Sequence, residues 1–194
     1  GWVGLTWNQP SQQGRNYALA GYDRTHNFQM GFLYDIPLGK DSNNPVAVLL
    51  KDWQVNGVYS IFSGTPFTIG GDNTALNQRG GTQTIDLIAP LRQTGRPGPD
   101  EAYVDKASFA QPGNKWGNTG RTQFRGPNNW NLDLGLFRGF PFGRYRLEFR
   151  AQATNVLNHS RWGNPITGFT DPNFMRIRSV ADPRRVQLGL RFQF

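Results

Sequence analysis

The chain has 194 residues with 24 glycines and 13 prolines, a turn-rich composition that favours β structure over a helix bundle. It holds no cysteine, which excludes disulfides, cysteine-based metal clusters and a thiol nucleophile, and its formal net charge of +8 is spread along the chain without a basic run, which argues against nucleic acid. No apolar run of about 18 residues is present, so a transmembrane helix is excluded, but a membrane β-barrel is not, because its strands show lipid only alternate residues.

Five segments alternate with period two, the pattern of a strand with one apolar face. In residues 26–36, Phe28, Met30, Phe32, Tyr34 and Ile36 share one face. In 53–63, Trp53, Val55, Tyr59 and Ile61 do so, and Phe67 and Ile69 read as a continuation beyond a kink at Gly64-Thr65-Pro66. In 130–140, Trp130, Leu132, Leu134, Leu136 and Phe140 alternate with Asn131, Asp133, Gly135, Phe137 and Gly139. Arg138 breaks that pattern by falling on the apolar side, near enough to a turn to reach the interface by extending its side chain. In 145–157, Tyr145, Leu147, Phe149, Ala151 and Ala153 oppose Arg146, Glu148, Arg150, Gln152 and Thr154. In 185–194, Val186, Leu188, Leu190, Phe192 and Phe194 alternate with Arg185, Gln187, Gly189, Arg191 and Gln193.

Strands of this length exceed the usual globular strand of about 5–6 residues and match the 9–11 or so that a tilted strand needs to cross a bilayer. A soluble antiparallel sheet with one wet face alternates equally well. The connections separate the two readings. A short turn at 141–144 and an intermediate connection at 37–52 fall on one side, whereas long connections at 64–129 and 158–184 fall on the other, the asymmetry of an outer-membrane barrel. Asp133, Arg146, Glu148, Arg150 and Arg191 then suit a watery lumen, and Trp53, Trp130, Phe140 and Tyr145 sit near strand ends, where interfacial belts place aromatic residues.

The last strand, with Phe194 and the phased residues Val186, Leu188, Leu190 and Phe192, resembles the C-terminal signal that the barrel-assembly machinery reads in bacterial outer-membrane proteins. Further stretches sharpen the likeness: Tyr22-Asp23-Arg24-Thr25-His26-Asn27-Phe28, Ser63-Gly64-Thr65-Pro66-Phe67, Gly117-Asn118-Thr119-Gly120-Arg121, Phe124-Arg125-Gly126-Pro127, Ala153-Thr154-Asn155-Val156-Leu157-Asn158-His159, Trp162-Gly163-Asn164-Pro165 and Asp182-Pro183-Arg184-Arg185. In this order they resemble the C-terminal end of TonB-dependent outer-membrane receptors, in particular the Oar-like group with a carboxypeptidase-regulatory-like domain. The resemblance implies an all-β, antiparallel up-and-down meander, residues 1–194 forming the last five strands of a barrel of about 22. It implies energy-coupled uptake of an iron chelate, oligosaccharide or peptide at the bacterial outer membrane, through a TonB-type partner engaged by an N-terminal part that this sequence does not contain. The start at Gly1, without Met or signal peptide, fits a piece of a longer chain.

No catalytic set, cofactor motif or metal site is expected. His159-Ser160 lacks an acid partner nearby, and Asp100, Glu101 and Asp105 lack calcium-loop spacing and read as a solvated turn. Binding is the better reading. Arg79, Arg92, Arg96, Lys106, Lys115, Arg121, Arg125, Arg161, Arg176 and Arg178 lie in the long connections and suit lipopolysaccharide phosphates or plain solvation, while Trp116 and Trp162 suit stacking on a ligand or packing of the loops. The alternative architecture is a soluble or surface β-sandwich binding module, with glycans as a candidate ligand, whose apolar faces would close on each other in a dry core.

Overall fold

The computed structural model describes residues 7, 9–38, 51–76, 82–94 and 96–194. Five long strands form one antiparallel sheet: β1 (Asn27–Asp35), β2 (Trp53–Phe62), β3 (Asn129–Phe142), β4 (Tyr145–Thr154) and β5 (Arg185–Gln193). They lie side by side in chain order, an up-and-down meander that matches the expected segments to within a few residues. The turn between β3 and β4 is tighter than the four residues expected: Phe142 pairs with Tyr145, and Gly143 takes a left-handed φ of 61° that a side chain would disfavour. β4 stops at Thr154 rather than 157, because Asn155 turns left-handed, with φ 49°. Much of the 37–52 connection lies outside the described residues.

The register makes one face continuous. Val186, Leu188, Leu190 and Phe192 stand opposite Ala153, Ala151, Phe149 and Leu147. Those in turn oppose Leu134, Leu136, Arg138 and Phe140. At the far edge Phe28, Met30, Phe32 and Tyr34 oppose Ile61, Tyr59, Gly57 and Val55. Because side chains alternate strictly along a strand, direct cross-strand partners share a face, so these rows build one apolar surface.

The chain divides into two compact units. The sheet unit comprises the described residues of His26–Phe62, Trp130–Arg161 and Asp182–Phe194. The loop unit comprises those of Gly1–Thr25, Ser63–Asn129 and Trp162–Ala181. The long connections carry a core of their own. Phe67, Ile69, Ile85, Tyr103, Val104, Phe109, Phe124, Phe174, Met175 and Ile177 make a buried cluster within the loop unit. This corrects the expected continuation of the second strand: Pro66–Phe67 pairs instead with Phe124–Arg125, and Phe67 and Ile69 enter that core.

Motif residues hold the loop unit together. Gly64 passes so close to Gly126 that an added Cβ would lie 1.8 Å from its carbonyl oxygen. Thr119 Oγ1 donates to the Ile85 carbonyl (2.6 Å), the Asn118 backbone N–H donates to Asp86 Oδ1 (2.7 Å), and the Gly117 N–H to Gln83 Oε1 (3.0 Å). The stretch 117–119 is thereby laced to 83–87. A 3-10 helix, Pro10–Asn16, adds Arg15, whose guanidinium donates to the carbonyls of Gly117 and Thr119, both at 2.5 Å. Burial lowers the pKa of Arg15, and Asp86 opposes that shift.

Candidate functional site

The two faces of the sheet have opposite chemistry. Among the described residues, every apolar residue that is fully buried belongs to the loop unit, and none to the sheet unit. Val186, Leu188, Leu190 and Phe192 are 58–71% exposed, and Phe28, Met30, Tyr34 and Phe142 are about half exposed. A contiguous apolar surface of this extent is unusual on a water-soluble protein and marks a surface made for lipid or a partner. The sandwich alternative required a dry core between facing apolar sheets, and the sheet unit has no such core.

Aromatic residues border this surface at two levels. Trp53, Phe140, Phe142, Tyr145 and Phe192 lie towards the β3–β4 turn, and Tyr145 stacks on Phe192 with ring centroids 5.6 Å apart. Tyr59 and Trp130 lie towards the opposite ends, 6.4 Å apart. Small and aliphatic residues, among them Leu134, Leu136, Ala151, Ala153 and Leu188, fill the middle. From Trp130 to Phe140 the strand advances about 33 Å at ~3.3 Å per residue. A tilt of about 40° reduces that to roughly 25 Å, the height of a barrel's apolar band. Arg138 lies within the turn-side belt and does not reach outward as expected. It is 5% exposed, its guanidinium carbon 4.2 Å from the Phe140 ring centre and 5.5 Å from that of Trp53, so aromatic faces shield its charge.

The other face is polar. Glu148 takes two hydrogen bonds from Arg150, Nε to Oε1 at 2.8 Å and Nη2 to Oε2 at 3.1 Å. Arg191 stands directly opposite Glu148 across the β4–β5 pair. Arg146 lies flat over Gly139, where a Cβ would come within 2.6 Å of its guanidinium, so the glycine makes room for it. Arg146, Glu148 and Arg150 border a hollow of about 520 Å³ with Asp35, Gln54 and Asn56. A second hollow of about 720 Å³ on the same face includes Asp133, Gln152 and Gln187. The expected lumen residues thus share one face, but Asp133 stands six positions from Gly139 along β3, about 20 Å from the charged cluster.

Asp133 has a local duty that sequence reading missed. Its Oδ1 accepts from Asn131 Nδ2 and from the Asn155 N–H, both at 2.8 Å. Asn155, 2% exposed, donates from Nδ2 to the carbonyls of His159 and Asp182 and accepts the His159 N–H, each at 2.8 Å. His159 stacks on Trp130 with ring centroids 4.0 Å apart, and Arg161 pairs with Asp182. Asn155 therefore fixes where the chain leaves β4 and where it returns to β5. The signal in the sequence was a lone asparagine, which tolerates left-handed φ, directly after an alternating run.

Several loop residues of the sequence reading are engaged within the fold. Lys115 pairs with Asp86 (3.1 Å) and Arg125 with Asp23 (2.5 Å). Lys106 sits 4.7 Å above the Phe169 ring. Asp105 caps the short 3-10 helix Lys106–Ser108 by accepting the Ala107 N–H, and no metal-holding acidic group occurs among the described residues. Trp162 packs partly against the loop core and also borders an open hollow with Arg96, Asp100 and Glu101. Trp116 is half-buried beside the laced 117–119 stretch, and Arg79 lies outside the described residues.

An antiparallel meander with bilayer-length strands, a lipid-type face bordered by aromatic belts and a hydrated charged face defines a wall of a membrane β-barrel. A family model described as "Outer membrane beta barrel domain" matches residues 1–187, and the chain belongs to that family. The protein is an outer-membrane β-barrel protein of bacteria. No curated protein and no solved structure matches it.

Proposed function

We propose that the chain is the C-terminal barrel segment of a TonB-dependent receptor of the Oar-like kind, serving energy-coupled uptake of an iron chelate, oligosaccharide or peptide. The observation that carries the reading is the pairing of a lipid-type face with a hydrated, charged one: Arg146, Glu148, Arg150 and Arg191 line a wall past which a polar ligand can move. The motif series of the loop unit supports the receptor assignment. In this reading Val186, Leu188, Leu190, Phe192 and Phe194 are both lipid-facing seam and assembly signal, read by the barrel-assembly machinery. Loop cations meet lipopolysaccharide phosphates, a TonB-type protein couples energy through an N-terminal part, and the role is binding and passage without catalysis or cofactor.

The test is the coding sequence upstream of this segment. An open reading frame that continues for several hundred codons through a plug domain and a coupling box to a signal peptide is the expected result. A start codon and signal peptide immediately before Gly1 would contradict it.

A further inference from the structure

The core of the loop unit is not fully packed. A hollow of about 280 Å³ opens among Phe67, Ile69, Phe109, Phe124 and Met175. Protein interiors seldom keep voids larger than a water molecule, because wall atoms facing a void forfeit their dispersion contacts. Here the walls hold one another apart. Phe109 meets Phe124 edge-on at 5.7 Å and Phe174 edge-on at 5.8 Å, and Phe67 meets Phe124 at 5.9 Å. Such ring pairs resist collapse because each fixes its neighbour's orientation.

The polar groups of this hollow converge at one place. Tyr103, 8% exposed, and Gln93 both border it, and the Tyr103 hydroxyl accepts a hydrogen bond from Gln93 Nε2 at 3.1 Å. A hydroxyl that accepts from an amide still carries its own hydrogen to give. Arg125 also borders the hollow, but its charge is held by Asp23 at 2.5 Å and its Nη1 by the Gly64 carbonyl at 3.1 Å. Leu91, 48% exposed, stands at the rim. Apolar walls with a few convergent polar groups are the pattern of small-molecule sites, and the volume lies at the low end of their range. An apolar cavity of about 150 Å³ suffices for benzene.

We propose that this hollow binds a small aromatic molecule of one or two fused rings, uncharged and bearing a polar substituent that hydrogen-bonds to the Tyr103–Gln93 pair. The uncharged class follows from Arg125, whose positive charge Asp23 already balances. The site concerns the loop unit alone and stands whether or not the barrel is energised.

The test uses the full-length protein in phospholipid nanodiscs with 4-fluoroacetophenone as probe, whose carbonyl can accept from the Tyr103 hydroxyl, read by fluorine NMR against empty nanodiscs. The expected result is saturable binding above the empty-disc level, displaced by unlabelled acetophenone. Tyr103→Phe should weaken it about three- to tenfold, the loss of one hydrogen bond, and Ile69→Trp should abolish it by filling the hollow. No saturable binding by the wild type overturns the site, as does undiminished binding by Ile69→Trp that retains its heat-modifiable fold. Should that variant fail to fold, Leu91→Arg at the exposed rim replaces it, with undiminished binding again overturning the site. Wild-type affinity in Tyr103→Phe overturns the hydrogen-bonded class.

Discussion

Asn155 concentrates more structural consequence than any charged residue of the polar face. Its side chain makes three hydrogen bonds and its backbone two more, joining the ends of β3, β4 and β5 at a left-handed turn. Asn155→Ala removes the side-chain bonds of a buried residue and puts alanine in a left-handed turn where asparagine is favoured, a loss of about 3 kcal/mol. Urea unfolding in lipid vesicles should show a lowered midpoint, larger for Asn155→Ala than for Asn155→Gly. A midpoint unchanged in both would remove Asn155 from this role.

Tyr103 gives a residue-scale pH dependence. Burial raises its pKa, and the hydrogen bond from Gln93 opposes that. The folded state then holds the proton more tightly than the unfolded state. Its contribution to stability is complete below the ordinary tyrosine value of about 10 and is lost as pH rises through the higher folded value. Near-UV circular dichroism of the loop unit should therefore decay above that value in the wild type and less steeply in Tyr103→Phe. Equal decay would contradict the coupling.

At the scale of elements, the strands were legible because period-two alternation survives even where it is imperfect. Leu33, Val58 and Phe62 fall on the polar side, yet β1 and β2 keep the expected phase, since the register follows the majority of the face. The errors arose where alternation carried no information. Phe67 and Ile69 continue the spacing of β2, but Gly64 crosses Gly126 at backbone distance and hands that stretch to the loop unit. The core residues Ile85, Val104, Met175 and Ile177 are scattered among two-residue strands and turns, too short for any periodicity to show. Motifs such as Gly117-Asn118-Thr119 were visible as words, but their work is hydrogen bonding to a strip some thirty residues away. The same logic of faces predicts mutational effects. Leu188→Arg places a charge in the middle of the lipid-type face and should cost about 2–4 kcal/mol of folding stability in a bilayer. Gln187→Arg, on the other face, should stay within about 0.5 kcal/mol. Equal costs measured in lipid vesicles would contradict the assignment of faces.

For the whole molecule, the division of labour is chemical. The loop unit buries a core of its own, whereas the sheet unit exposes its apolar face. A sheet of this kind is stable only where something apolar covers it, and its outer strands β1 and β5 need pairing partners before hydrocarbon can be tolerated. The proposed assembly signal belongs to this scale: deleting Phe194 should lower the amount of heat-modifiable barrel in the outer membrane several-fold, and unchanged amounts would count against it.

The central claim is that Val186, Leu188, Leu190 and Phe192 face lipid while Arg185, Gln187, Gly189 and Arg191 face water. Single cysteines can be placed along Arg185–Gln193 in the full-length protein, with any cysteine outside this cysteine-free segment replaced, and spin-labelled in a bilayer. Collision with oxygen, which concentrates in lipid, should peak at 186, 188, 190 and 192, and collision with a water-soluble nickel chelate at the positions between. Absence of that alternation, or its reverse, would contradict the account.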